Sequence, residues 1–304
     1  MSAIIETESL TKFYGASRGI NALTFSVDEG EVFGFLGPNG AGKTTTIRLL
    51  MGLLRPTSGS ARIDGLDCWT QSTEVKRLIG YLPGEFNVDP ALTGAQVIEY
   101  LGHLSGGVDQ DLVKTLTQRF ELDPSKRFRD YSRGNKQKVG LIQAFMRRPR
   151  LLILDEPTAG LDPLNQQEFY ALVREAREEG SSIFLSSHIL PEVEHTCDRV
   201  GIIREGELVK IDHVSTLKEM RRHVIEIVFP SSADPTWFAG LANVSDVKLL
   251  NGGTTVQLTA QEEMADVIQV AARHQATSLT ARQPSLEEVF LRYYESDSSR
   301  GGAE

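Results

Sequence analysis

Residues 37–44 read GPNGAGKT, a Gly-x4-Gly-Lys-Thr pattern, and the fold is decided by what stands on either side of it. The apolar run EVFGFL (31–36) precedes it and TTTIRLLMGLL (44–54) follows, so strand, loop and helix come in the order a phosphate-binding loop requires. Gly37, Gly40 and Gly42 let the backbone curl with its N–H groups pointing inward, and the N-terminus of the helix adds a dipole that favours a β-phosphate. Gly37, Pro38, Asn39, Gly40, Ala41, Gly42, Lys43, Thr44 and Thr45 are the expected polyphosphate cradle. Lys43 is placed to reach the β- and γ-phosphates as a point charge, and the Thr44 hydroxyl to ligate Mg²⁺.

Two further short apolar runs, LLILDE (151–156) and SSIFLSS (181–187), read as strands covered on both faces at the centre of an α/β core. Asp155 and Glu156 close the first of them, and two adjacent carboxylates at the end of a buried run call for a positive partner. Asp155 is the expected Mg²⁺ ligand, direct or through water, and Glu156 the general base that orients and polarises an attacking water. INALTFSV (20–27) alternates, with Leu23, Phe25 and Val27 on one face, and predicts a half-buried antiparallel strand. More than a hundred residues separate EVFGFL from LLILDE, too many for a simple crossover, and their helical character predicts an inserted helical subdomain at about 87–147. After LLILDE, Asp162 suits an N-cap, Pro163 a first turn and Gly180 a helix end.

The 304 residues imply one large domain and a smaller one. With 40% hydrophobic and 24% charged residues the composition is that of an ordinary globular protein, and a net charge of −9 disfavours nucleic acid as a partner. Cys68 and Cys197 match no metal spacing and read as buried thiols in a reducing compartment. No stretch approaches the roughly 18 apolar residues of a spanning helix, and MSAIIETESL has no signal-peptide character, so work at a membrane is expected to need docking on another protein. RVGIIREGELVKID (199–212) predicts a hairpin around Glu205-Gly206, and the boundary is placed near 214. Residues 215–295 are expected to form a small α+β domain. Its signals are the alternating HVIEIVF, an Asn251-Gly252 turn, and a helix with Met264, Val267, Ile268, Ala271 and Ala272 on one face. Ser285 and Glu288 form a capping box for a last helix, and 296–304 are expected to be a disordered tail.

Taken together, GPNGAGKTT, LLILDE, the following AGLDP and a histidine after a later strand resemble the nucleotide-binding domains of the ATP-binding cassette (ABC) family over residues 1 to about 214. The C-terminal domain and its PSLEEVFLRYY ending look like those of the drug and antibiotic exporter branch. In that family a Ser-Gly-Gly signature tract grips the nucleotide of a partner subunit, at a helix N-terminus about two dozen residues before the Asp-Glu pair. Two stretches compete: LSGGV (104–108), which spells the consensus, and YSRGNKQK (131–138), which does not. Ser132 lies 23 residues before Asp155 and opens a Lys/Arg-rich helix, whereas Ser105 lies 50 residues before it among Asp109 and Asp111. Ser132 with Gly134 is the reading taken, although Arg133 and Asn135 replace a glycine and a glutamine of the family pattern.

IGYLPGEF (79–86) departs as well, because the family glutamine that touches Mg²⁺ is missing and Gly84 holds its place. Glu85 either substitutes through a shifted loop or a water, or is a solvent-exposed turn residue. The resemblance further implies that Tyr14 stacks on adenine, where it would otherwise read as core. It implies that His188 contacts the γ-phosphate and aligns Glu156 with water, and that Asp162 meets the opposing subunit in addition to capping its helix. The cofactors implied are ATP and Mg²⁺. The partners implied are a second copy in a head-to-tail ATP sandwich and a separate polytopic permease, at the cytoplasmic face of the membrane. The expected function is the ATPase subunit of a drug or antibiotic exporter. A soluble cassette ATPase working on ribosomes or nucleic acid, a non-catalytic ATP-binding regulator and an importer ATPase are the alternatives.

Overall fold

The structure, a computed structural model, describes residues 2–104, 106–219, 223–260 and 264–282. Ser105, the Ser285–Glu288 capping box and the C-terminal tail lie outside the described residues. The chain divides into two compact units, Met1–Val214 and Ser215–Glu304.

The first unit begins with two long antiparallel strands, β1 (Ala3–Tyr14) and β2 (Ser17–Asp28), then β3 (Val32–Leu36), which leads through the glycine loop into α1 (Lys43–Leu50). There follow β4 (Ser58–Ile63), β5 (Leu66–Asp67), α2 (Ser72–Leu78) and β6 (Ile79–Leu82). The helical insertion comprises α3 (Gly94–Leu104), α4 (Gln110–Arg119) and α5 (Arg133–Phe145). The chain returns through β7 (Leu151–Asp155), α6 (Pro163–Glu178), β8 (Ser182–Ser187), α7 (Leu190–Thr196), β9 (Arg199–Arg204) and β10 (Glu207–His213), and α8 (Val214–Glu219) follows.

Two sheets result, one antiparallel in the order β2-β1-β4-β5 and one in the order β10-β9-β3-β8-β7-β6. In the second sheet β9, β3, β8, β7 and β6 run parallel, and β3, β7 and β8 are buried along their whole lengths, as strands with helices or another sheet on both faces must be. One aromatic cluster joins the sheets: the Phe25 ring of β2 stacks on Phe33, Phe35 and Phe184 at 5.8, 5.7 and 6.0 Å between centroids. The alternation in β2 therefore has a specific destination, since its inward face supplies the ring that covers the parallel sheet.

Register in the parallel sheet decides where the chemistry sits. Leu36 pairs with Ser187 and Asp155 with Ser186, so β3, β7 and β8 end at one edge and the loops that follow them emerge side by side. Between α3 and α4 the turn at Gly106 and Gly107 uses backbone with φ of +91° and +109°, and Asp109 caps α4 by accepting from the N–H groups of Asp111 and Leu112. Gly106 and Gly107 of the consensus-like spelling thus belong to a turn between two helices.

The second unit is a four-stranded antiparallel sheet in the order β12-β13-β11-β14, made of β11 (His223–Val228), β12 (Val244–Leu250), β13 (Thr255–Ala260) and β14 (Ser278–Arg282). The short helix α9 (Thr236–Ala239) and α10 (Ala265–Arg273) contribute Phe238, Val267 and Ala271 to a core with Ile225, Ile227, Val256 and Leu258. Asn251, Gly252 and Gly253, all at positive φ, turn β12 into β13. The face of α10 differs from the expected one. Val267 and Ala271 are buried and Met264 and Val270 pack beside them, while Ile268 is half exposed and Ala272 points outward. A short helix lying on one face of a small sheet buries a narrow stripe, and the wider apolar face read from the sequence exceeds it.

The aromatic cluster yields a stability prediction. Phe184→Ala removes a fully buried ring that contacts three others, and should destabilise the first unit by about 3–5 kcal/mol. Thermal unfolding followed by circular dichroism should show a Tm lowered by roughly 10 °C.

Candidate functional site

The glycine loop is tied both to its neighbours and to itself, the Ala41 N–H donating to the Pro38 carbonyl at 3.2 Å. Gly37 N–H donates to the Ser187 carbonyl at 3.2 Å, and Gly206 N–H to the Ala41 carbonyl at 2.9 Å. A Cβ on Gly37 would stand 2.3 Å from the Ile203 carbonyl oxygen, so only glycine fits there. Gly40 and Gly42 take φ of +80° and +109°, which turns the chain sharply into α1. Lys43 Nζ donates to the Gly37 and Pro38 carbonyls at 2.6 and 3.2 Å and pairs with Glu156 Oε1 at 3.2 Å. Thr44 Oγ1 donates to Asp155 Oδ2 at 2.9 Å, and Ser186 Oγ to Asp155 Oδ1 at 2.5 Å.

Glu156 is the hub of the arrangement. One carboxylate oxygen meets Lys43, and the other lies 2.7 Å from His188 Nδ1. Its backbone has φ of +51°, a strained setting for a side-chain-bearing residue. Donation from its N–H to the Ser186 carbonyl and hydroxyl, both at 3.2 Å, holds it there. Gln137 Nε2 reaches the Glu156 and Pro157 carbonyls at 3.1 and 3.0 Å, tying α5 to the same turn. Neither Ser186 nor Gln137 is evident as a site residue in the sequence: one lies inside a run read as strand, the other about one turn into a helix.

Asn39, Thr44, Gly84, Glu85, Arg133, Asp155, Glu156 and His188 line one cavity of about 580 Å³. Gly84 is the close neighbour of Asp155, since a Cβ on it would lie 3.1 Å from Asp155 Oδ2. Tyr81 forms part of the wall, and burial, reinforced by the Asp155 charge, pushes its hydroxyl up to about 12. Tyr14 is 45% exposed, which answers the core alternative, and its ring edge and the Thr45 methyl both close over Gly19. Ser132 caps α5, its Oγ accepting from Asn135 N–H at 3.2 Å. Asp162 caps α6, accepting from Asn165 N–H at 3.0 Å, and these bonds hold its carboxyl below the usual range. Ser132 and Asp162 are brought close through glycines: a Cβ on Gly134 would stand 2.5 Å from the Gly160 carbonyl oxygen.

The family model for ABC transporters matches residues 20–159, and that described as "ATP-binding protein DrrA1-3-like, C-terminal domain" matches 214–294. The bacitracin transport ATP-binding protein BcrA of Bacillus licheniformis is 41% identical over 234 residues, 74% of this chain and 75% of that protein. The chain belongs to the ABC transporter ATP-binding family. The linearmycin resistance ATP-binding protein LnrL of Bacillus subtilis is 30% identical over 302 residues, 95% of this chain and 97% of that one. A solved ATP-binding subunit of an ABC transporter superimposes with a TM-score of 0.66 at 30% identity, covering 71% of this chain and 92% of its own. This ABC protein binds and hydrolyses ATP. Among its described residues no helix is long and apolar enough to cross a membrane.

The metal that accompanies ATP has a fitting place. Asp155 is 1% exposed, and the hydrogen bonds to its carboxylate come from hydroxyls, with the Gly84 backbone passing alongside. Among the described residues there is no cluster of three or more His, Cys, Asp or Glu able to hold an ion alone. Oxygen donors few enough to need completion by phosphate and water suit Mg²⁺ better than a metal caged by protein.

The contact between Gly134 and Gly160 can be tested directly. Gly134→Ala should lower stability by about 1–3 kcal/mol through the forced displacement of one turn. Gly240→Ala, where a Cβ meets nothing within 4 Å, should change it by less than about 0.5 kcal/mol; thermal unfolding of both variants reads the difference.

Proposed function

We propose that this ABC protein is the ATP-hydrolysing subunit that drives export of an antibiotic-like small molecule through a separate membrane-spanning subunit, working as a head-to-tail pair of identical chains. The observation that carries the catalytic part is the position of Glu156 between Lys43 and His188, with Thr44 and Asp155, bonded to each other, lining the same cavity as Glu156 and His188. The match of residues 214–294 to the DrrA1-3-like domain, together with antibiotic-transport and resistance relatives, favours export over the importer and ribosome readings.

In this reading the N–H groups of residues 37–42 and Lys43 take the phosphates, and the Tyr14 face takes the adenine. Glu156 accepts the proton of the attacking water while His188, hydrogen-bonded to it, fixes the direction of the carboxylate. Thr44 and Asp155, with Glu85 from the adjoining loop, are the residues that would hold Mg²⁺, which supplies charge neutralisation for the phosphates. Ser132 and Gly134 at the α5 N-terminus reach the nucleotide of the second copy, and Asp162 stands at the same contact. The domains fall at 1–214, with the helical subdomain at about 87–147, and 215–295. Exposed Tyr100 and Leu104 on α3 support docking of the permease on the helical subdomain, and in this reading the subunit works at the cytoplasmic face of the membrane.

Glu156→Gln should cut ATP turnover by at least about a hundredfold while leaving ATP binding intact, and Lys43→Ala should abolish binding. Phosphate release and fluorescent-nucleotide titration measure the two effects, and wild-type turnover in Glu156→Gln would refute the assignment. For the transport reading, the tagged chain is purified from gently solubilised membranes. A polytopic membrane protein in stoichiometric amount is expected, and recovery of ribosomes instead would overturn it.

A further inference from the structure

Behind the His188–Glu156 pair lies a carboxyl group that the mechanism above does not use. Glu192, on α7, is 1% exposed. Its Oε2 accepts a short hydrogen bond from the Ser187 hydroxyl, and the same Ser187 Oγ accepts from Ile189 N–H at 2.9 Å, so the bonds bracket His188 on both sides. The Thr158 hydroxyl, 4% exposed in the turn that follows Glu156, faces the Glu192 carboxyl as well. Among the described residues Glu192 Oε1 is the buried side-chain oxygen left with no hydrogen-bond partner.

We propose that Glu192 is a positioning residue for ATP hydrolysis, a bridge that fastens the turn carrying His188 to the turn carrying Glu156 so that the two side chains meet. The bridge works with the carboxyl protonated. A buried carboxyl oxygen with no hydrogen-bond partner is where a carboxylic acid keeps its proton, while the other oxygen accepts from Ser187. Burial is the main force that keeps it so, raising the group to about 7 against the opposing hydrogen bonds, with Glu156 adding repulsion and His188 a smaller opposing pull. From the elements packed around α7, Tyr170 of α6 and Cys197 also face this charge, and burial holds both proton-bearing near neutrality.

The direction of the pH effect follows. The folded state keeps a proton that the unfolded chain gives up at ordinary carboxyl values, so the contribution of Glu192 to stability is full at low pH and is lost as pH rises through about 7. Above that, a second negative charge faces Glu156, so the alignment of Glu156 with His188 loosens.

The inference rests on Glu156 and His188 being the hydrolytic pair, and the test keeps the two readings apart. Steady-state ATP hydrolysis by the full-length protein is measured between pH 6 and 8.5 for the wild type, Glu192→Gln and Glu192→Ala, with fluorescent-nucleotide binding and thermal unfolding beside it. Glu192→Ala should lower kcat about tenfold or more with KM for ATP within about twofold. Glu192→Gln, a permanently neutral amide of the same shape, should keep wild-type kcat at pH 6.5 and lack the decline through pH 7 that the wild type shows. An unchanged kcat in a folded Glu192→Ala, or the same decline in Glu192→Gln as in the wild type, overturns the proposal. If Glu192→Ala does not fold, the Glu192→Gln profile alone decides. Full activity in Glu156→Gln would instead remove the hydrolytic reading on which the inference stands.

Discussion

The pairing of Leu36 with Ser187 and of Asp155 with Ser186 is the constraint from which the rest of the site follows. Three strands distant in sequence terminate at one sheet edge, and in a parallel sheet that edge is where loops lead away toward helix N-termini. A slip of one residue in β7 would turn Asp155 and Glu156 to opposite faces and separate the carboxylates from the lysine. The stacked Phe25, Phe33, Phe35 and Phe184 rings resist such a slip, because side chains packed at interior density have no alternative seat one residue along.

The charges on this edge would be unstable apart. Lys43 is 5% exposed and Asp155 1%, and isolated charges at that burial would lose far more in desolvation than folding could offset. Lys43 is satisfied by two loop carbonyls and Glu156, and Asp155 by two hydroxyls. These are the partners that a phosphate group and a metal ion can displace or share, so the ligand-binding groups are kept ordered without being locked. The positive φ of Glu156 belongs to the same logic, since Ser186 and Gln137 hold the turn in a conformation it would otherwise leave.

Most of the core of this site is legible in the sequence because the phosphate loop, the Asp-Glu pair and the histidine each sit at the end of an apolar run, and register in parallel sheets gathers such ends together. The antiparallel β2 and the Asp162 cap were readable for the same reason, being local patterns with local causes. What escapes is contact between segments whose spacing carries no period. Ser186 lies inside a strand-like run, Gln137 inside a helix, and Glu192 on a short helix among other acidic residues, and only the fold brings them to Glu156. The turn at Gly106 and Gly107 shows the converse, for a spelling that matches a motif is there a product of the glycines needed to join α3 to α4. The α10 face was drawn too wide because sequence periodicity counts apolar residues and cannot see how little sheet surface is present to cover them.

Ser132 and Asp162 raise the question whether a helix cap can also serve a partner. A hydroxyl carries two lone pairs and one proton, and the bond from Asn135 N–H uses a lone pair of Ser132 Oγ, leaving the proton to be donated outward. Capping therefore prepares the serine, since it fixes χ1 and presents the O–H beside the N-terminal amides of α5, which are themselves short of acceptors. Asp162 is more heavily engaged: Oδ1 accepts from Asn165 N–H and Oδ2 from Asn165 Nδ2 at 2.6 Å. Both carboxylate oxygens are committed to the α6 N-terminus, so a contact from another chain must add to these bonds through the remaining lone pairs. The contact of Gly134 with Gly160 joins the two caps. In the proposed head-to-tail pair, that contact would put a phosphate docked on Ser132 one close backbone approach away from the turn between Glu156 and Asp162.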